Sequence, residues 1–189
     1  LLTPQGFDYY FEADDGTHLV TDGADAIVVH VDSAAAEEDM PALEWQLVSL
    51  PMNPKNRSLD KVFAALGEYD PSKWKVYGLE NGEYVEVMNQ LQPEFKTGKS
   101  YWLKTREGGF RLGIDDALSI PTDKPYEIVL EPGWNLISNP FMFNVSWNEL
   151  RELLDSLGLS RKVVGPFSWK DGDWKLPWPI GDLVSLETW

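Results

Sequence analysis

Acidic side chains occur in this chain as short pairs: Asp14-Asp15, Asp115-Asp116 and Asp171-Gly172-Asp173. Oxygen clusters of this kind are what a hard cation such as Ca²⁺ binds. None has the Asp-x-Asp-x-Asp-Gly spacing that wraps a loop around the ion, and Asp-Gly is accounted for by turn chemistry. No metal or cofactor site is expected. Paired carboxylates also serve glycosidases, but a chain with 31 Asp and Glu supplies pairs at random, and nothing singles out an acid and a nucleophile. Gly98-Lys99-Ser100 has the ending of a phosphate-binding loop. The Gly required five residues earlier is Pro93, and a strand follows in place of the helix whose N-terminus would hold phosphate. Both histidines, His18 and His30, fall in expected strands and no Gly-x-Ser-x-Gly is present, so a nucleophile would lack its base. No catalytic residue is expected.

The aromatic residues are more suggestive. Nine Trp are present, and three of them, Trp169, Trp174 and Trp178, lie within ten residues near the C-terminus. Asp171-Gly172 predicts a two-residue hairpin turn there. Positions 170 and 173 then form the hydrogen-bonded pair, and Trp169 opposes Trp174 in the next, closer pair. Two readings follow. The indoles pack as a hydrophobic lid or a contact with a neighbouring module, or they form a flat face on which the rings of a polysaccharide stack.

The elements that must position these residues are short. Thirteen Pro and fifteen Gly break the chain often, while 43% hydrophobic and 13% aromatic residues supply a packed interior. The formal charge of −15 repels phosphate backbones and anionic lipid heads, so nucleic acid is not an expected partner. The absence of Cys excludes disulfides and thiolate chemistry. No apolar run reaches the ~18 residues of a spanning helix, so membrane insertion is not expected. The chain starts at Leu1 with no initiator Met and no signal peptide, which predicts a piece of something longer.

Strands are expected over residues 6–12, 17–20, 26–32, 45–50, 101–104, 110–114 and 126–130, with an acidic loop over 33–41. Trp45–Leu50 and Trp134–Ser138 read as strands buried on both faces. Leu59, Val62, Phe63 and Leu66 predict a helix capped by Ser58 and closed by Gly67. Trp147, Leu150, Leu154 and Leu157 predict a second helix, capped by Ser146 and followed by Gly158. Hairpins are expected across Asn81-Gly82 and Asp171-Gly172. Asn56-Arg57-Ser58 and Asn144-Val145-Ser146 match glycosylation sequons, and helix capping by the two Ser explains their recurrence.

These elements recur. Trp45 and Trp134 are 89 residues apart, Gly67 and Gly158 are 91 apart, and Gly82 and Gly172 are 90 apart. The chain reads as two copies of a unit of about 90 residues. In the phase that starts at Trp45, the second copy lacks its Tyr-Trp strand, a place that Tyr9-Tyr10-Phe11 could fill. The expected fold is mainly β (α+β), with two similar β-rich units, each carrying one short amphipathic helix, packed as a pseudo-symmetric pair. The expected divisions are 1–43 for N-terminal strands, 44–132 for repeat 1 and 133–189 for repeat 2.

Gly133-Trp134-Asn135-Leu136-Ile137-Ser138-Asn139-Pro140 and Gly98-Lys99-Ser100-Tyr101-Trp102 resemble a tandem module of large secreted and cell-surface proteins of bacteria and archaea. Leu2-Thr3-Pro4 with the following aromatic strand resembles the corner before a late strand of fibronectin type III domains. In copy one Gln46 replaces the Asn, and Ser100 replaces a Gly of the second motif. The resemblance implies a location outside the cell or on its surface and carries no catalytic residues. The expected function is that of a non-catalytic extracellular module, a spacer, adhesion or assembly element whose partners are neighbouring modules of the same polypeptide. The alternative is carbohydrate binding through Trp169, Trp174 and Trp178.

Overall fold

A computed structural model of the chain describes residues 11–14, 19–22, 30–35, 40–143, 145–159, 162–163, 167–170, 173–175 and 185–186. In chain order the first strands are β1 (Phe11–Asp14), β2 (Leu19–Asp22), β3 (His30–Ala35), β4 (Trp45–Val48) and β5 (Asn53–Pro54). Helix α1 (Leu59–Val62) and a 3-10 turn (Ala64–Leu66) lead to β6 (Trp74–Glu80) and β7 (Glu83–Glu86). A second 3-10 turn (Val87–Asn89) precedes β8 (Tyr101–Thr105) and β9 (Gly113–Leu118). The remaining described elements are β10 (Val145–Ser146), α2 (Trp147–Ser156), β11 (Ser168–Lys170), β12 (Asp173–Lys175) and β13 (Ser185–Leu186). The described chain is thus β-rich, with two short α-helices.

The central element is a four-stranded antiparallel sheet ordered β4-β8-β6-β7. Its two middle strands alternate buried and half-buried residues, as a pleat with one face on the core requires. Trp74, Val76, Tyr101 and Leu103 point inward to join Val48 of β4. The turn between β6 and β7 is Asn81-Gly82, with φ of 50° and 81°. Positive φ at both central residues is the type I′ geometry that matches strand twist, and Asn-Gly is the dipeptide that tolerates it. Leu59, Val62, Phe63 and Leu66, spaced for one helical face, are all buried in the same core. Phe63 meets Trp74 with ring centroids 6.1 Å apart. A second sheet, β3-β9-β5, adds Ala117 to that core.

Several expectations are corrected. Trp45 is 38% exposed and Leu47 half-buried, so β4 is not covered on both faces. It is an edge strand whose inner face alone meets the core. Residues 126–130 form no strand, and Ser138 belongs only to a short docked segment. The helix expected from Leu59 to Leu66 breaks at Phe63 into α1 and a 3-10 turn, and the Ser58 hydroxyl caps nothing. Asn56 Oδ1 instead accepts the Ser58 amide at 3.1 Å. The third strand lies at His30–Ala35, entering the expected acidic loop, because its pairing with β9 sets its register. β9 itself is displaced to Gly113–Leu118, and Phe110 makes only a bridge to Met40.

Helix α2 matches its sequence signals at both ends. Ser146 Oγ accepts the Glu149 amide at 3.5 Å. At the other end Leu159 N donates to Leu154 O and Gly158 N to Asp155 O, the paired bonds of a Schellman motif. Leu150 and Leu154 are half-buried as expected, but Leu157 is 61% exposed. Residues 1–10 and His18 lie outside the described residues, and with them Tyr9 and Tyr10 of the strand expected to complete repeat 2; Phe11 begins β1 and pairs with Asp22.

Three phenols make the fold sensitive to alkali. Burial pushes the Tyr69 hydroxyl well above its ordinary range, and its hydrogen bond to Glu86 and the charge of that carboxylate add to the shift. Burial also raises Tyr101, against a countering bond from the Lys96 amide, and raises Tyr126, against the charge of Arg57. Folded-state values above the unfolded one, near 10, mean that the folded chain holds protons the unfolded chain releases. The stabilisation is therefore complete below pH ~10 and is lost as pH rises beyond it. Urea midpoints are expected to be flat from pH ~8 to ~9 and to fall by pH ~11, with Tyr69→Phe making the fall shallower. A wild-type midpoint that holds at the higher pH would contradict this.

Candidate functional site

The Gly133–Pro140 stretch docks onto the chain that leads into β8. Ser138 N donates to Gly98 O at 3.0 Å and Ser100 N to Leu136 O at 3.3 Å, around a bridge between Lys99 and Ile137. Both serines are buried, and their hydroxyls close the seam: Ser100 Oγ donates to Ile137 O at 2.8 Å and Ser138 Oγ to Lys99 O at 3.2 Å. A buried hydroxyl needs such a partner, which explains Ser on both sides of this junction. Leu136 completes the seam as a buried apolar side chain.

Just upstream, Asn135 folds the chain into a tight turn. Its Oδ1 accepts the Glu131 amide at 2.9 Å, and its Nδ2 donates to Glu131 O at 2.8 Å and Gly133 O at 3.1 Å. With the amide engaged on backbone, Asn135 acts as a structural clamp. The clamp presents Trp134 outward, 66% exposed, with its ring tilted against Phe167 at a centroid distance of 5.2 Å. Trp134 is therefore not the doubly buried strand residue expected from its spacing. The turn residues Glu131-Pro132-Gly133 directly before it are the signal that could have placed it outside a strand.

Trp134 stands on the rim of a groove of about 630 Å³. The β6–β7 turn contributes Glu80 and Asn81, and the chain after the second 3-10 turn contributes Gln90, Gln92, Glu94 and Lys96. Gln90 Nε2 donates to Glu80 Oε2 at 2.9 Å, setting an amide donor beside a carboxylate acceptor. Tyr101 forms part of the wall, with its hydroxyl accepting the Lys96 amide at 3.0 Å. The walls carry carboxylates, amides and ammonium groups around one large exposed ring. Such an arrangement can bind a polar, hydroxyl-rich molecule that also has an apolar face. A second pocket, lined by Leu66, Trp74 and Phe110, measures about 50 Å³ and has room only for water-sized occupants.

The residues expected to form a ligand platform are placed in part. Trp169 and Trp174 are direct partners across the β11–β12 hairpin, in the register the Asp171-Gly172 turn predicts. Trp178 lies outside the described residues. Asp116, half of one acidic pair, forms an ion pair with Lys55 at 2.8 Å. Among the described residues no group of three or more His, Asp or Glu is placed to hold a metal ion. No described helix is long and apolar enough to cross a membrane. No protein-family model, curated protein or solved structure matches this chain.

Proposed function

We propose that this chain is a non-catalytic extracellular module, an adhesion or assembly element of a larger secreted or cell-surface protein, built as a pseudo-symmetric pair from two related units. The supporting observation is the outer face of the four-stranded sheet. Cross-strand partners share a face, so Leu47, Trp102, Tyr77 and Glu86 form one row and Trp45, Lys104 and Lys75 the next. Leu79 and Tyr84 extend the same face. Trp45 meets the Tyr77 ring edge-on at 5.6 Å, and Lys104 Nζ lies 5.5 Å from the Trp45 centroid. Tyr84 is 55% exposed and Trp45 38%. A half-exposed face of aromatics and aliphatics, interleaved with charges of both signs, has the composition of an interface core with its polar rim. Its proposed occupant is a neighbouring module of the same polypeptide. The acidic chain repels nucleic acid, which weighs against the other common use of an aromatic sheet face.

The test compares this chain alone with the longer polypeptide that contains it. Acrylamide quenching of Trp45, isolated by substituting other exposed Trp residues with Phe, is expected to fall in the longer protein. Tyr84→Glu, at the most exposed ring of this face, should restore that quenching of Trp45 and shift the thermal midpoint of the isolated chain by less than about 2 °C, as surface substitutions do. Equal quenching in both contexts would remove the assembly reading. The alternative reading, polysaccharide binding at the C-terminal hairpin, draws support from the direct pairing of Trp169 with Trp174.

A further inference from the structure

We propose that the groove lined by Trp134 is a binding site for a neutral oligosaccharide, centred on that ring and the Gln90–Glu80 pair and not on Trp169 and Trp174. A sugar ring has an axial C–H face that stacks on an indole and a rim of hydroxyls that both donate and accept hydrogen bonds. The groove offers both kinds of contact. Trp134 supplies an exposed aromatic ring, held by the Asn135 clamp and by Phe167. Gln90 and Glu80, already joined at 2.9 Å, place donor and acceptor groups side by side, as two neighbouring hydroxyls require. Glu94 lines the same groove and adds a further acceptor.

Size and charge narrow the ligand. About 630 Å³ lies within the ~300–1,000 Å³ range of small-molecule clefts and suits a short oligomer better than a single sugar. Three carboxylates, Glu80, Glu94 and Glu131, face two ammonium groups, Lys96 and Lys99, on a chain of charge −15. This balance opposes uronic-acid and sulfated sugars and leaves neutral ones. A peptide would be recognised by backbone pairing at an open strand edge. The groove instead presents side-chain amides and carboxylates around a turn, which favours the sugar. The fixed ring and the preformed Gln90–Glu80 pair lower the ordering cost of binding.

The test is titration calorimetry of the whole chain with cello-, xylo- and manno-oligosaccharides, with oligogalacturonate as the charged control and an extended neutral peptide as the rival ligand. At least one neutral oligosaccharide is expected to bind, with Trp134→Ala weakening it at least about tenfold and Gln90→Ala about three- to tenfold. Trp134→Phe should keep most of the affinity and guards against loss of fold, which the thermal midpoint of each variant checks. Trp174→Ala should leave binding unchanged. Binding of no neutral oligosaccharide, preference for oligogalacturonate, or binding of the peptide alone would each overturn the proposal. Sugar binding that survives both groove variants but is lost in Trp174→Ala would overturn it in favour of the hairpin.

Discussion

Phe63→Ala is expected to lower the unfolding free energy by about 3–5 kcal/mol, the range for removing a buried phenyl ring from a packed core. Phe63 is 2% exposed and sits in the same core as Leu59, Val62, Val76 and Leu103. Its ring contacts Trp74, which also meets Tyr69 edge-on at a centroid distance of 4.9 Å. Truncation removes the transfer free energy of the ring and leaves a cavity that these neighbours close only in part, because strand and turn are both pinned. Phe63 closes the turn of α1, with its amide on Leu59 O at 2.8 Å, and Trp74 N bonds Asp70 O at 3.0 Å. Against a typical total of about 5–15 kcal/mol, the loss is large enough to shift the urea midpoint far to the left. Leu157→Ala is the contrast: at 61% exposure it is expected to change stability by less than about 0.5 kcal/mol. Trp fluorescence in urea measures both. Equal losses for the two would mean that the core is not centred where α1 meets the sheet.

Reading the sequence succeeds here where the controlling physics is local. Asn81-Gly82 forms its hairpin because positive φ at two consecutive positions is a property of those two residues. The same holds for Ser146 and Gly158 at the ends of α2, and for the Trp169–Trp174 register that follows from a two-residue turn. The spacing Leu59, Val62, Phe63, Leu66 identifies a buried face correctly even though the helix changes to a 3-10 turn, since burial depends on the angle around the axis more than on the bonding pattern. It fails where the partner is distant. Trp45 and Trp134 share a motif, but what covers a Trp is decided by the element across from it, and here nothing covers either fully. Tyr126–Leu130 has strand composition but no described strand across from it. The Tyr126 hydroxyl instead donates to Thr97 O, and Val129 O accepts from Lys99. The groove is the extreme case, because Glu80, Gln90 and Trp134 come together only through the β6–β7 turn and the docking of Leu136-Ile137-Ser138. No periodicity or motif carries that information.

That docking can be tested at one atom. Gly98→Ala is expected to destabilise the chain by about 2–3 kcal/mol, combining a left-handed backbone penalty with a steric one. Gly98 has φ of +80°, and a Cβ there would stand 3.2 Å from Tyr126 Cε1 and 3.4 Å from two side-chain carbons of Ile128. The Tyr126 ring cannot swing aside at little cost. Its hydroxyl donates to Thr97 O at 2.9 Å, and Phe141 meets it edge-on at 6.1 Å. The added methyl therefore presses on Tyr126 and Ile128 and strains the backbone at the residue whose carbonyl holds Ser138 N. Hydrogen exchange separates this local effect from general loosening. The Ser138 and Ser100 amides should lose protection first, while Val76 and Leu103 in the sheet lose only what the global stability change dictates. Because Trp134 lies two residues before the seam, its position over the groove should loosen as well, and any ligand stacked on it should weaken more than the stability change alone explains. Uniform loss of protection across seam and sheet would show instead that the docked segment and the sheet unfold as one unit, with Gly98 serving only the stability of the whole.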